Sequence, residues 1–252
     1  MDVVVDTDPG LGTPGADPED ALALALALAS PELRVRAITC VAGNVPLPDA
    51  FANATRWLER LGRQDVPLAA DDAARAIVEH ARALVAIGPL TNVAAALRAD
   101  PSLVERLERV VIMGGAFAVP GNVSPTAEFN FAEDPEAAQA VLDAGLRPTL
   151  VGLDVCHETR LPTVRPRTPV GAYFEAVAGP WLASDGPYLY DSLAVAATIR
   201  PELLTVVPAR VTIAPDGTSV ADHDAPANAL VATGVDVAAF DALFAERVLP
   251  LL

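Results

Sequence analysis

Residues 3–24 read VVVDTDPGLGTPGADPEDALAL. A short β-branched run passes through a turn rich in glycine, proline and acid into an Ala/Leu run, and two chemistries compete for that turn. Gly10, Gly12 and Gly15 form a literal G-x-G-x-x-G between a strand candidate and a helix candidate, the context of a dinucleotide-binding loop. Against this, Asp6, Asp8, Asp17, Glu19 and Asp20 crowd five carboxylates into the same stretch. Two unit charges about 4 Å apart repel by roughly 4 kcal/mol at an effective dielectric near 20. A pyrophosphate is therefore opposed here, whereas a divalent cation is held. Hard oxygen ligands from Asp8 and Asp20, without clustered histidine or thiolate, suit calcium or magnesium rather than zinc.

The Ala/Leu run alternates with a period of two, which on pattern alone is a strand. Its composition and start signals make it a helix: alanine favours helix and is poor in sheets. Asp17 is placed to act as N-cap, with Pro18 at the first helical position. Further along, β-branched runs at 3–5, 35–41, 66–69, 83–87, 110–113, 148–153 and 204–213 alternate with helix candidates at 18–29, 49–61, 92–97, 135–144, 191–199 and 237–248. This alternation predicts an α/β fold, an open and mostly parallel sheet with helices on both faces, as one domain over residues 1–252. In such a sheet Asp6 and Asp8, Gly43 and Asn44, the GPLTN after Ile87, the MGG from Met113 and the LDVCH from Leu153 all fall at the carboxyl edge, where open α/β sheets bind ligands.

Composition excludes other classes. A formal charge of -16 leaves no basic stripe for nucleic acid. All seventeen basic residues are arginine, which removes Schiff-base chemistry and the P-loop lysine. The longest apolar run, 21–29, is too short to cross a bilayer, and no charged leader with a hydrophobic segment opens the sequence. Cys40 and Cys156 sit in apolar text as buried thiols, so a cytoplasmic location is expected.

The motifs DTDPG…EDALAL, ITCVAGNVPL, AIGPLTNVAAAL, VVIMGGAF, GNVSPTAEFNFAEDPEAA, VGLDVCH and YDSLAV, in that order over most of residues 2–200, resemble the nucleoside hydrolase family of the inosine-uridine preferring kind. The resemblance implies calcium-dependent hydrolysis of the N-glycosidic bond of a ribonucleoside to ribose and free base, by a homo-oligomer, dimer or tetramer. It implies Asp8, Asp20, Asp191 and the Ile87 carbonyl as Ca2+ ligands, with Asp8 also taking a proton from the water held by the metal. Glu19, Asn44, Met113, Asn122, Glu128 and Asn130 correspond to ribose-binding residues. Tyr190 stands where many members have the histidine that protonates the leaving base, and is the candidate acid here.

The chain also departs from the family. GTPGADP lengthens the spacer between Asp8 and Glu19, a glutamate replaces the usual aspartate at position 19, and the segments that usually cover the base are short, which implies an open base side. Other residues have plainer readings. Asp134 before Pro135 is an N-cap, His157 a structural residue, and His80 and His223 have no partner visible in sequence. Cys156 lacks a basic neighbour that would activate it. Two alternatives stand beside the hydrolase: a non-catalytic metal- and ribose-binding protein of the same fold, and a haloacid-dehalogenase-like phosphatase, suggested by VVVDTD but lacking its usual lysine.

Overall fold

Strand alternation sorts the core. Val3 and Val5 enter one hydrophobic cluster and Val4 the other, and Val111 opposes Val110 and Ile112 in the same way. A sheet buried on both faces is what such near-continuous apolar strands require. The structure, a computed structural model, describes residues 1–163, 165–184 and 187–252.

The strands are β1 (Asp2–Thr7), β2 (Arg34–Cys40), β3 (Leu68–Ala69), β4 (Ala83–Ala86), β5 (Arg109–Met113), β6 (Thr149–Val151), β7 (Leu204–Ile213), β8 (Ser219–Asp222) and β9 (Ala229–Val235). The helices are α1 (Glu19–Ala29), α2 (Leu47–Leu61), α3 (Ala73–His80), α4 (Thr91–Ala99), α5 (Leu103–Arg106), α6 (Phe129–Glu133), α7 (Pro135–Asp143), α8 (Leu153–Cys156), α9 (Pro169–Leu182), α10 (Tyr190–Ile199) and α11 (Val237–Arg247). One sheet runs in the order β3-β2-β1-β4-β5-β6-β9-β7-β8. β1 to β6 and β9 pair in parallel, while β7 runs antiparallel to β9 and β8. The expected open, mostly parallel α/β sheet is present, with α1, α10 and α11 on one face and α3, α4 and α7 on the other.

The chain leaves β1 toward β2 and β3, then returns across it to β4, β5 and β6. The carboxyl ends of β1 and β4 therefore flank the point where the strand order reverses, the place where such sheets bind ligands. Register keeps the edges level, since Asp6 lies opposite Thr39 on β2 and Ala86 on β4. Asp8, Gly43, Asn44 and Ile87 consequently emerge together.

The Ala/Leu run is helix α1, and its burial explains the misleading period. Residues 21–27 are at most 1% exposed, because α1 packs on the sheet beside α10 and also meets α2 and α11. A helix covered all round needs no amphipathic stripe. Its start differs from expectation. Pro18 is the N-cap, not the first helical residue, and Asp17 reaches only the Glu19 N–H through Oδ1 at 2.8 Å. The run at 148–153 ends as a strand at Val151, and Leu153 opens the short α8. Elements β8, β9, α3, α5, α6, α8 and α9 lay outside the expected set. For α3 and α9 the sequence shows only mixed polar and apolar text, with Gly and Pro inside α9.

Candidate active site

Two glycines shape the centre of the site. A Cβ on Gly43 would stand 2.1 Å from Asp8 Oδ2, and one on Gly88 would stand 2.8 Å from Asp8 Oδ1. The carboxylate of Asp8 thus fits into a slot that only glycine leaves open. The Asn44 N–H donates to Asp8 Oδ2 at 2.7 Å, and Asn44 Nδ2 donates to Asp20 Oδ2 at 3.1 Å. Asp20 Oδ1 accepts from Thr7 Oγ1 at 2.5 Å and from the Asp8 N–H at 3.1 Å. Behind them, Asp6 Oδ1 accepts from Thr39 Oγ1 at 2.5 Å and Asn92 Nδ2 at 2.8 Å.

This acidic floor is buried and, among the described residues, contains no basic side chain. Burial is the largest influence on every member. It pushes Asp6 up to about 7, Asp20 up to about 6, and Asp8 and Asp191 well above the carboxylate range. For Asp8 the next cause is the charge of Asp20, and for Asp191 the charges of Glu19, Asp20 and Asp8. Asp8 Oδ1 and Asp6 Oδ2 are buried without a hydrogen-bond partner, which costs on the order of 1–3 kcal/mol each unless something else pairs with them. Among the described residues, no three His, Cys, Asp or Glu side chains form a closed cluster around one point. Orphaned, mutually repelling carboxylates beside a backbone carbonyl nonetheless fit a hard cation.

Above the floor lies a cavity of about 200 Å³. Glu19, Asn44, Ile87, Met113, Tyr190 and Asp191 line it, and Asn122, Glu128 and Asn130 complete the expected set. Asp8 and Asp20 lie beneath. Asn130 Nδ2 donates to the Met113 carbonyl at 3.2 Å and to the Ile87 carbonyl at 3.4 Å, joining the ends of β5 and β4. Asn122 Oδ1 accepts from the Phe129 N–H at 2.9 Å, so the turn it makes holds the α6 segment.

Both glutamates carry structural duties that their sequence positions do not show. Glu19 Oε2 accepts from the Asp191 N–H at 2.6 Å, and Oε1 from the Ser192 N–H at 3.1 Å and Ser192 Oγ at 2.5 Å. The glutamate on α1 therefore caps the start of α10 across 172 residues, although burial still pushes it up to about 8. Glu128 caps α6 through the Asn130 and Phe131 N–H groups and ties in Gly115. Its carboxyl, likewise raised by burial, is opposed by those three donors.

Tyr190 is half-buried, and burial raises its phenol further above its ordinary value, which keeps it a proton donor. Its ring centroid lies 5.6 Å from that of Tyr188 and 6.1 Å from that of His157. Burial holds the His157 imidazole below its usual value, as expected of a packed residue. Asp134 caps α7 through the Ala137 N–H at 3.0 Å, again as expected. Cys40 and Cys156 are free and buried, and burial raises both thiols.

Sequence reasoning missed several residues. Thr7 holds Asp20, 13 residues away, and Ser192 holds Glu19, 173 residues away, so although each sits beside an aspartate in the sequence, nothing local marked the acid it reaches. Asp154, which pins the Phe117 and Ala118 N–H groups at 2.9 and 2.6 Å, and Ser219, which bonds Ala116, fix the loop after β5 from distant strand ends and left no local signal.

This geometry has close relatives. A family model described as inosine-uridine preferring nucleoside hydrolase matches residues 3–83 and 68–242. The non-specific ribonucleoside hydrolase RihC of Klebsiella pneumoniae is 35% identical over 305 aligned positions, covering 98% of this chain and 97% of that protein. RihC of Escherichia coli is 32% identical with the same coverage. The plant nucleoside hydrolase PpNRh1 superposes with a TM-score of 0.85 at 28% identity, covering 98% of each chain. The purine-preferring ribonucleoside hydrolase from Gardnerella vaginalis superposes at 0.87 with 26% identity, over 100% of this chain and 99% of its own. With one sheet, one acidic floor and one sequence pattern running together along nearly the whole length, the chain belongs to the inosine-uridine preferring nucleoside hydrolase family.

Proposed function

We propose that this protein hydrolyses the N-glycosidic bond of ribonucleosides to ribose and free base, and that it does so with bound calcium. The observation carrying the reading is the floor: Asp8, Asp20 and Asp191 are all buried and raised by burial, Asp191 also by the charges of Glu19, Asp20 and Asp8, with Asp8 Oδ1 unpaired and, among the described residues, no cationic side chain beside them. These three carboxylates and the Ile87 carbonyl would hold the ion. When bound, it supplies Lewis acidity at the attacking water and an anchor for ribose hydroxyls.

The remaining chemistry belongs to the chain. Asp8, held by Asn44 and flanked by the two glycines, takes the proton from the attacking water. Departure of the base leaves oxocarbenium character on the sugar, and the carboxylates of Glu19 and Glu128 stabilise that charge. The amides of Asn44, Asn122 and Asn130, with the main chain at Met113, orient the hydroxyls. Glu19 also acts through α10, whose first turn it fixes and which carries Tyr190 and Asp191. Tyr190 donates to the leaving base. Because hydroxyl recognition occurs in a buried polar pocket, ribosides are preferred over 2′-deoxyribosides. The same reading takes residues 1–252 as one domain working as a cytoplasmic homo-oligomer, dimer or tetramer. Among the described residues no helix is long and apolar enough to cross a membrane.

A reducing-sugar assay over a nucleoside panel tests this. Ribose release is expected to vanish with a calcium chelator and to fall by roughly 10²–10⁴ in Asp8→Asn. Release that survives both treatments overturns the mechanism.

A further inference from the structure

The chain from Met113 to Asn130 forms one wall of the cavity, through Met113, Asn122, Glu128 and Asn130. Between β5 and α6 it has no regular element of its own, so its shape is imposed from outside. The four amides after Gly114 are each taken by a side chain. Gly115 donates to Glu128 at 3.0 Å, Ala116 to Ser219 Oγ at 3.0 Å, and Phe117 and Ala118 to Asp154. A carboxylate can only accept, but a hydroxyl also donates. Ser219 Oγ returns a bond to the Ala116 carbonyl at 3.0 Å, so both buried main-chain groups of Ala116 depend on one side chain.

Ser219 opens β8, and the turn before it rests on the same wall. Thr218 bridges to Ala127, and its Oγ1 lies 2.8 Å from Thr126 Oγ1. Gly217, at φ +82°, approaches α6 so closely that a Cβ would stand 2.6 Å from Ala132 Cα. The hairpin is itself anchored to α7, where Gln139 Oε1 accepts from the Ile213 N–H at 2.7 Å and Asp143 pairs with Arg210 at 3.1 Å. Among the described residues it makes no hydrogen bond to Asp8, Asp20 or Asp191.

We propose that the β7–β8 hairpin is a strut that sets the sugar-facing wall, with Ser219 as a positioning residue for substrate binding. Through Ala116 it fixes the Gly115 N–H that holds Glu128 and the Met113 carbonyl that Asn130 engages. The inference rests on the ribonucleoside reading above and gives the antiparallel end of the sheet a task at the site.

Ser219→Ala tests it. KM for inosine and uridine is expected to rise about tenfold with kcat within about threefold of the wild type, because the metal-binding floor and Asp8 are not disturbed. Hydrogen exchange followed by mass spectrometry should quicken over residues 114–131 and stay unchanged in α1. Thr218→Val, which removes only the hydroxyl facing Thr126, is expected to raise KM about threefold. KM within about twofold of the wild type in both variants overturns the proposal. So does exchange that quickens in α1 as much as in residues 114–131, the mark of general destabilisation. If the wild type releases no ribose, the hydrolase reading fails, and the exchange pattern still decides whether Ser219 holds the wall.

Discussion

At the scale of single residues, the site depends on what is absent as much as on what is present. Gly43 and Gly88 contribute no side chain, and that absence admits the Asp8 carboxylate. Gly43→Ala would place a methyl group 2.1 Å from Asp8 Oδ2, and a displacement of about 1 Å at a reacting group costs on the order of 10²-fold in rate. The expected outcome is a fall in kcat of about that size with the far-UV circular dichroism unchanged. A kcat within twofold of the wild type would show that Asp8 can move without consequence. The acids themselves were legible, because aspartates at such density after a strand have few structural uses. Their partners were not. Nothing in the local sequence says that Asn44 bridges Asp8 through its main-chain N–H and Asp20 through its side-chain amide, or that Glu128 is held by the Gly115 N–H.

At the scale of elements, α1 and α10 work as a pair. Glu19 at the head of α1 takes three hydrogen bonds from the first turn of α10, so the two helices that deliver Asp20 and Asp191 are locked end to end. Glu19→Ala would leave two buried N–H groups and a hydroxyl unpaired, which predicts a loss of about 1–3 kcal/mol. Urea denaturation measures it, and an unchanged midpoint would mean that the contact contributes nothing. Leu24, fully buried in the middle of α1, belongs to the same pair. Leu24→Ala is expected to cost about 2–5 kcal/mol in the same experiment. The helix was legible from alanine content and its acidic start, against its period. The capping by Glu19 was not, since its partners lie 172 and 173 residues away.

At the scale of the whole molecule, the buried floor makes stability depend on pH and on cations. In the metal-free protein Asp20, Asp6 and Glu19 stand at about 6, 7 and 8, against ordinary values of 3.8, 3.8 and 4.5. A carboxyl raised on folding binds its proton more tightly in the native state. Its contribution is therefore complete below about pH 4 and is lost as pH rises from about 4 to 8. Net charge acts in the same direction, because -16 at neutral pH is reduced by acid. The melting temperature with chelator present is expected to rise as pH falls from 8 to 5. Calcium should raise it more at pH 8 than at pH 5, since the ion binds the ionised floor and stabilises the native state by mass action. A calcium effect equal at both pH values would argue that the ion binds elsewhere.

By itself the sequence determined the fold class and the gathering of acids at the carboxyl edge of the sheet, because β-branched runs, alanine-rich composition and carboxylate density are local properties. Tertiary structure alone decided that Glu19 caps a distant helix, that β8 and β9 extend the sheet, and that the long spacer faces α9 across a groove. Those outcomes depend on which buried donors and surfaces meet when the sheet closes around β1. Hydrogen bonds between residues far apart in the chain have no spacing to betray them.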